Sequence, residues 1–162
     1  MLGVIRWGSG PLKELHGMTE VRKPSVLFVC KGNTCRSVMA EALTRRRFGD
    51  AVQVASAGLR PQPPEDAKNA VETLRVEFNW DTSSHLPRHF RDIDVNSFDY
   101  VVAMDKYIAK ELKGIPKERL LVWNIDDPWD NDMAEYKRCG LIILRYLSRL
   151  PITHSGQQEA NA

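Results

Sequence analysis

VLFVCKGNTCRSVMAE, Val26 to Glu41, is the stretch whose reading decides the fold. An apolar, β-branched run ends on a cysteine. Glycine and asparagine follow, then an arginine and a serine open a run of helix formers. The pattern predicts a buried strand over Ser25 to Cys30, a short loop, and a helix from Arg36 to Phe48 closed by Gly49. A turn from a strand into a helix N-terminus directs several backbone amides at one spot, and the helix dipole adds positive charge there. Such a spot binds an anion. Gly32 and Asn33 supply backbone conformations that other residues resist. Arg36 adds a planar fork that matches two oxygens of a phosphate-like oxyanion. Cys30 lies beneath the same anion, where amides, dipole and arginine favour a thiolate. A thiolate facing a bound phosphate is a nucleophile facing an electrophile. The bland alternatives are a buried strand-end thiol at Cys30 and a surface ion pair at Arg36.

The rest of the chain alternates in the same way. AVQVAS, Ala51 to Ser56, reads as a second strand. A helix is expected over Glu65 to Phe78, with Ala67, Val71, Leu74 and Phe78 at helical spacing. A polar loop spans Asp81 to Pro87, with a short helix near His89 to Ile93. DYVVAM, Asp99 to Met104, is a third strand, and a helix from Lys106 to Lys113 closes at Gly114 and Pro116. Arg119 to Trp123 is a fourth strand. DDPWDND, Asp126 to Asp132, is a loop, because Pro128 lacks an amide donor and the acids avoid burial. The last helix, Met133 to Leu150, places Tyr136, Gly140, Ile143, Leu144 and Leu147 on one face and stops at Pro151. This order predicts an α/β fold: a four-stranded parallel sheet with helices on both faces, a Rossmann-like three-layer arrangement. Sites in such sheets lie beyond the C-terminal strand ends, which brings the opening loop and DDPWD together.

The 162 residues fit one domain. With 43% hydrophobic and 27% charged residues, the chain is globular. A net charge of +2 gives no case for nucleic acid as partner, and no apolar run approaches a membrane span. RRRF, Arg45 to Phe48, reads as the solvated C-terminal end of a helix. Three cysteines do not make a disulfide framework, and the N-terminus lacks the pattern of a secretory signal, so a reducing cytoplasm is expected. Residues 1–23 read as a flexible extension, residues 24–151 as the folded domain, and residues 152–162 as a polar tail. The four histidines show no metal-ligand spacing. Cys139, Trp80 and Trp123 read as packing residues.

Cysteine, five residues, then Arg-Ser is the signature loop of cysteine-dependent phosphatases. VLFVCKGNTCRSVMAE closely resembles the low-molecular-weight protein tyrosine phosphatase family. The resemblance continues through SAG at Ser56 to Gly58, SSH at Ser83 to His85, DYVVAMD at Asp99 to Asp105, and Asp127-Pro128. It spans roughly Ser25 to Leu150. The resemblance implies that Cys30 attacks phosphorus and forms a phosphocysteine. Arg36 and the amides of the loop from Lys31 to Ser37 (Lys31, Gly32, Asn33, Thr34, Cys35, Ser37) hold the oxyanion. Asp127 protonates the leaving oxygen and later deprotonates a water. Asn33, Ser37, Ser56 and His85 match a polar network that holds the loop, and Cys35 matches a thiol that can form a protective disulfide with Cys30. No metal or other cofactor is called for, because amides and arginine meet the oxyanion charge.

The expected partner is a phosphorylated protein or a small aryl phosphate, with phosphate or arsenate able to occupy the loop. The chain departs from the family pattern at the mouth of the site. Lys31 stands where many relatives carry an apolar residue, Val38 follows the serine where proline is frequent, and Asp130 follows Trp129 where paired aromatics are common. Trp129 supplies one wall for a phosphotyrosine ring. Thr34 resembles the residue of bacterial protein-arginine phosphatases, which makes phosphoarginine an alternative substrate. A thiol-coupled arsenate reductase on the same fold is a second alternative, although no cysteine lies between Cys35 and Cys139 to relay a disulfide. A module that binds phosphorylated partners without turnover is a third.

Overall fold

The computed structural model describes residues 22–152. Most of the expected extension over residues 1–23, and the tail from Thr153 onward, lie outside the described residues. Four strands form one parallel sheet: β1 (Ser25–Cys30), β2 (Gln53–Gly58), β3 (Tyr100–Ala103) and β4 (Leu120–Val122), in the order β2-β1-β3-β4. All six residues of β1 are buried. A central parallel strand is covered on both faces, which is why its sequence is a continuous apolar run and not an alternating one. The chain passes from β1 to one side for β2, then crosses to the other side for β3. The strand order therefore reverses beside β1, and the crevice beyond Cys30 is the switch point where such sheets hold ligands.

The two covering layers are unequal. Helices α1 (Arg36–Phe48), α2 (Lys68–Phe78) and α4 (Met133–Leu147) pack on the face of Val26 and Phe28, with Met39, Leu43, Leu74, Tyr136, Ile143 and Leu147 in the core. The opposite face, Leu27 and Val29, is covered by the short α3 (Lys106–Glu111) and by Phe90, Ile93, Val95 and Phe98 from two single-turn segments. Trp123 is buried between Phe28 and Tyr146, with ring centroids at 5.2 and 5.1 Å. Trp80 packs against the same core but is only partly buried. Among the described residues no helix is long and apolar enough to cross a membrane.

Element ends differ from expectation for local reasons. β2 starts at Gln53 because Gly49–Ala51 form a 3-10 turn. The expected helix from Glu65 begins as a 3-10 turn over Pro64–Ala67 and becomes α-helical only at Lys68. It ends where Asn79 turns left-handed at φ 51°. The short helix near His89 is a single 3-10 turn, Phe90–Asp92. The helix from Lys106 stops at Glu111, and the last helix stops at Leu147, three residues before the predicted end.

Candidate active site

The loop from Cys30 to Arg36 is held from outside and from beneath. On its outer edge the carbonyls of Cys30, Lys31 and Gly32 accept from the amides of Leu59 (3.1 Å), Arg60 (2.8 Å) and Gln62 (3.0 Å). The β1–β2 ladder thus continues past the strand ends. Beneath the loop lies Asn33, fully buried and left-handed at φ 56°. Its Nδ2 donates to Ser37 Oγ and to Ser56 Oγ, both at 2.9 Å. Its Oδ1 accepts from the Arg88 amide at 3.0 Å, and its carbonyl faces His85 Nε2 at 2.8 Å. Asn33, Ser37, Ser56 and His85 are therefore brought together, and every polar group of the Asn33 side chain is satisfied.

Gly32 plays a different part from the one expected. Its φ is not left-handed; Asn33 takes that conformation instead. Gly32 matters for space, since a Cβ there would stand 2.9 Å from Gln62 Cγ and 3.2 Å from Thr34 Oγ1. Gly58, opposite Cys30 across the ladder, is tighter still: a Cβ would meet Asn33 N and Lys31 O at 2.9 Å and Gly32 C at 3.0 Å. The loop backbone rests directly on Gly58.

Cys30 ends β1 with its Sγ 2.9 Å from Ser37 Oγ, and the Asn33 amide donates to it at 3.3 Å. Helix α1 begins at Arg36 with no side-chain cap over its first amides. Arg36 is itself buried. Its Nη1 donates to Asp105 Oδ2 at 2.6 Å and to the Ile125 carbonyl at 3.0 Å, and its Nη2 donates to Asp127 Oδ2 at 3.1 Å. Its Nε is buried and donates to no protein atom. Of five N–H donors, three are used, and those left are Nε and one on Nη2, which form one edge of the guanidinium fork. Burial opposes the guanidinium's charge, but the carboxylates of Asp127 and Asp105 outweigh it and hold its pKa above the ordinary value. For Asp105, too, burial is opposed. The Ile108 amide and Arg36 together hold its carboxyl below the usual range.

The mouth over this loop is a cavity of about 220 Å3, lined by Lys31, Thr34, Cys35, Gln62, Asp127 and Trp129. Asp127 reaches it from the loop after β4, and the Trp129 amide donates to Asp127 Oδ1 at 3.2 Å. Trp129 is half-exposed at the rim. The neighbouring acids stand elsewhere. Asp126 lines an adjoining cleft with Asp105 and Tyr107, whose wall Arg36 and Asp127 share. Asp130 sits exposed at φ 62°. Asp132 caps α4 by accepting from the Glu135 amide. Thr34 is buried in the cavity wall, with its hydroxyl 3.9 Å from Cys35 Sγ.

All three cysteines are buried free thiols. Cys35 lies 3.3 Å from the hydroxyl of Tyr136, and burial pushes its thiol up to about 11. Burial pushes Cys139, one turn along α4 from Tyr136, up to about 12. Among the described residues no group of three His, Cys, Asp or Glu side chains is placed to hold a metal ion. Sequence reasoning missed Asp105, Glu41, Gln62 and Tyr136 as members of this site. Asp105 closes a strand and caps a helix, and nothing in the sequence shows that its second oxygen serves Arg36.

The chain is similar to several known proteins. A curated arsenate reductase of Bacillus cereus is 30% identical over 118 residues, covering 72% of this chain and 85% of that protein. A low molecular weight phosphotyrosine protein phosphatase of Dictyostelium discoideum is 29% identical over 150 residues, covering 70% and 84%. Among solved structures, an arginine phosphatase from Geobacillus stearothermophilus superposes with a TM-score of 0.66 at 25% identity, over 78% of this chain and 92% of that one. Residues 25–150, nearly the whole described domain and all of the site, match a single family, and the chain belongs to it: the low molecular weight phosphotyrosine protein phosphatases.

Proposed function

We propose that the chain is a cysteine phosphatase that hydrolyses phosphomonoesters, with protein phosphotyrosine or an aryl phosphate as substrate. Cys30 Sγ attacks phosphorus in line with the leaving oxygen, forming an S–P bond as the P–O bond breaks. Asp127 gives its proton to that oxygen, because an alkoxide or phenoxide leaves poorly without one. Water then attacks the phosphocysteine. Asp127 takes the water's proton, and Cys30 departs as a thiolate that Ser37 and the Asn33 amide receive. The free edge of the Arg36 fork carries this reading. A buried guanidinium with Nε and one Nη2 donor unspent suits two oxygens of a phosphoryl group and meets their charge throughout. Hydrolysis of an aryl phosphate near pH 6, with chelator present, tests it against Cys30→Ser. Turnover that persists with chelator and disappears in the variant supports the mechanism; turnover in Cys30→Ser refutes it.

Trp129 offers one aromatic wall to a phosphotyrosine ring, and Gln62 and Lys31 line the same mouth. A second reading is a protein-arginine phosphatase, favoured by Thr34 in the cavity wall and by the structural neighbour of that activity. Comparing kcat/KM on phosphotyrosine and phosphoarginine peptides decides between the two. An arsenate reductase has less support: no cysteine lies between Cys35 and Cys139 to relay a disulfide. The same chemistry proposes a reversible Cys30–Cys35 disulfide as a guard against over-oxidation, and a reducing cytoplasm as the working compartment.

A further inference from the structure

Glu41, one turn into α1, belongs to none of the roles assigned above. Its carboxylate lines a cleft of about 560 Å3 on the far side of the loop, together with Arg45, Trp80, His85 and Arg88. Arg45 Nε and Nη2 donate to Oε1 at 3.3 and 2.9 Å, and Arg45 is itself fixed by the Val54 carbonyl at 2.8 Å. Oε2 accepts a short hydrogen bond from Ser56 Oγ.

The protons in this cluster can be counted. A carboxylate only accepts, so the single hydroxyl proton of Ser56 goes to Glu41. Ser56 Oγ is then left to accept, and it accepts from Asn33 Nδ2 at 2.9 Å. The Arg88 amide on Oδ1 fixes which way the Asn33 amide group points. The second N–H of Nδ2 goes to Ser37 Oγ at 2.9 Å. Ser37 already accepts, and among the described residues its hydroxyl has one place to donate: Cys30 Sγ, at 2.9 Å. Sulfur thus receives two donors, the Ser37 hydroxyl and the Asn33 amide, in the arrangement that suits a thiolate.

We propose that Glu41 is a positioning residue for the nucleophile, acting through Ser56, Asn33 and Ser37 to keep the Ser37 proton on Cys30. The proposal rests on the reading of Cys30 as the nucleophile. Without the carboxylate, the Ser56 hydroxyl has no fixed acceptor and one of the three partners that hold the Asn33 amide group is no longer fixed. The cleft lets water in, and water donates as readily as it accepts, so direction is lost without leaving a void. A glutamine does not restore it. Arg45 keeps the carbonyl oxygen, and the amide nitrogen then faces the Ser56 proton, donor against donor.

The test is alkylation of Cys30 by iodoacetate, which reads the thiolate directly and needs no turnover. Absence of phosphatase activity would therefore overturn the functional proposal and leave this one testable. Cys35 and Cys139 stay protonated at the pH values used, so the signal belongs to Cys30. At pH 6 both Glu41→Ala and Glu41→Gln are expected to alkylate about three- to tenfold more slowly than the native protein, the range one hydrogen bond covers. At pH 9 the rates are expected to converge. In a Ser37→Ala background the Glu41→Ala effect is expected to vanish, since its route to sulfur is gone. A simple charge effect has the opposite sign, because removing a negative group speeds formation of a thiolate. Unchanged or faster alkylation in the Glu41 variants overturns the proposal, as does rescue by Gln or an effect that survives Ser37→Ala.

Discussion

Gly58→Ala puts the cradle to a geometric test. The added Cβ would stand 2.9 Å from Asn33 N and Lys31 O and 3.0 Å from Gly32 C, all of them backbone atoms of the loop. Ordinary contact begins near 3.4 Å, so the loop must retreat by about 0.5 Å. The stability cost is that of a small overpacking, about 1–3 kcal/mol. The catalytic cost is larger in proportion. A 1 Å misplacement of reacting groups costs roughly a hundredfold, so half of that predicts about a tenfold loss in kcat/KM. Gly32→Ala is the matched control: its Cβ meets chiefly Gln62 Cγ, the movable part of a long side chain, and about a twofold loss is expected. The assay is kcat/KM on p-nitrophenyl phosphate for both variants, with urea unfolding to confirm that each is folded. A folded Gly58→Ala protein within twofold of native activity, or a Gly32→Ala protein that is the worse of the two, refutes the reasoning.

Three further outcomes follow from the site. Asp127→Asn is expected to lose about a hundredfold or more in kcat on alkyl phosphates, and much less on p-nitrophenyl phosphate, whose leaving oxygen needs no proton; equal losses would remove Asp127 from proton transfer. Asp105→Asn keeps an oxygen for the Ile108 amide but removes the charge opposite Arg36, so kcat/KM is expected to fall about tenfold while urea stability drops by about 1 kcal/mol; a loss of stability without loss of activity would contradict it. The buried thiols predict an alkaline limit. Their folded values, about 11 for Cys35 and about 12 for Cys139, lie above the ordinary value of 9.0. The stability they contribute is therefore complete below pH 9 and is lost as pH rises through 11. The urea midpoint is expected to fall between pH 9 and 11, and less steeply in Cys139→Ala.

Much of the site was legible because it is local. The proposed nucleophile, the cradle, the arginine and Ser37 occupy Cys30 to Ser37, eight consecutive positions between a recognisable strand and a recognisable helix. The parallel order was legible for a similar reason, since β1 is apolar from Val26 to Cys30 and each strand is followed by a helical stretch. What stayed hidden depends on long-range contact. Arg45 reads as part of a solvated basic cluster, yet it holds Glu41, whose other oxygen turns inward to Ser56. Tyr136 reads as one more apolar-face residue, and its hydroxyl on Cys35 comes from a helix a hundred residues away. Strand ends were the least legible, because at Gly49–Ala51 a 3-10 turn competes with the sheet for the same residues.

Arg36 joins three loops that approach from different strands: its own after β1, Asp105 after β3, and Ile125 with Asp127 after β4. Their openings are for that reason not independent events. Whatever clamps the guanidinium raises the free energy of local opening in all three at once, and amide exchange at Ile108, whose N–H rests on Asp105, slows although nothing binds there. Conversely, a protein that has lost this side chain loosens in segments the anion never touches. The arginine proposed to grip the substrate is also the fastener by which the mouth of the cavity keeps its shape.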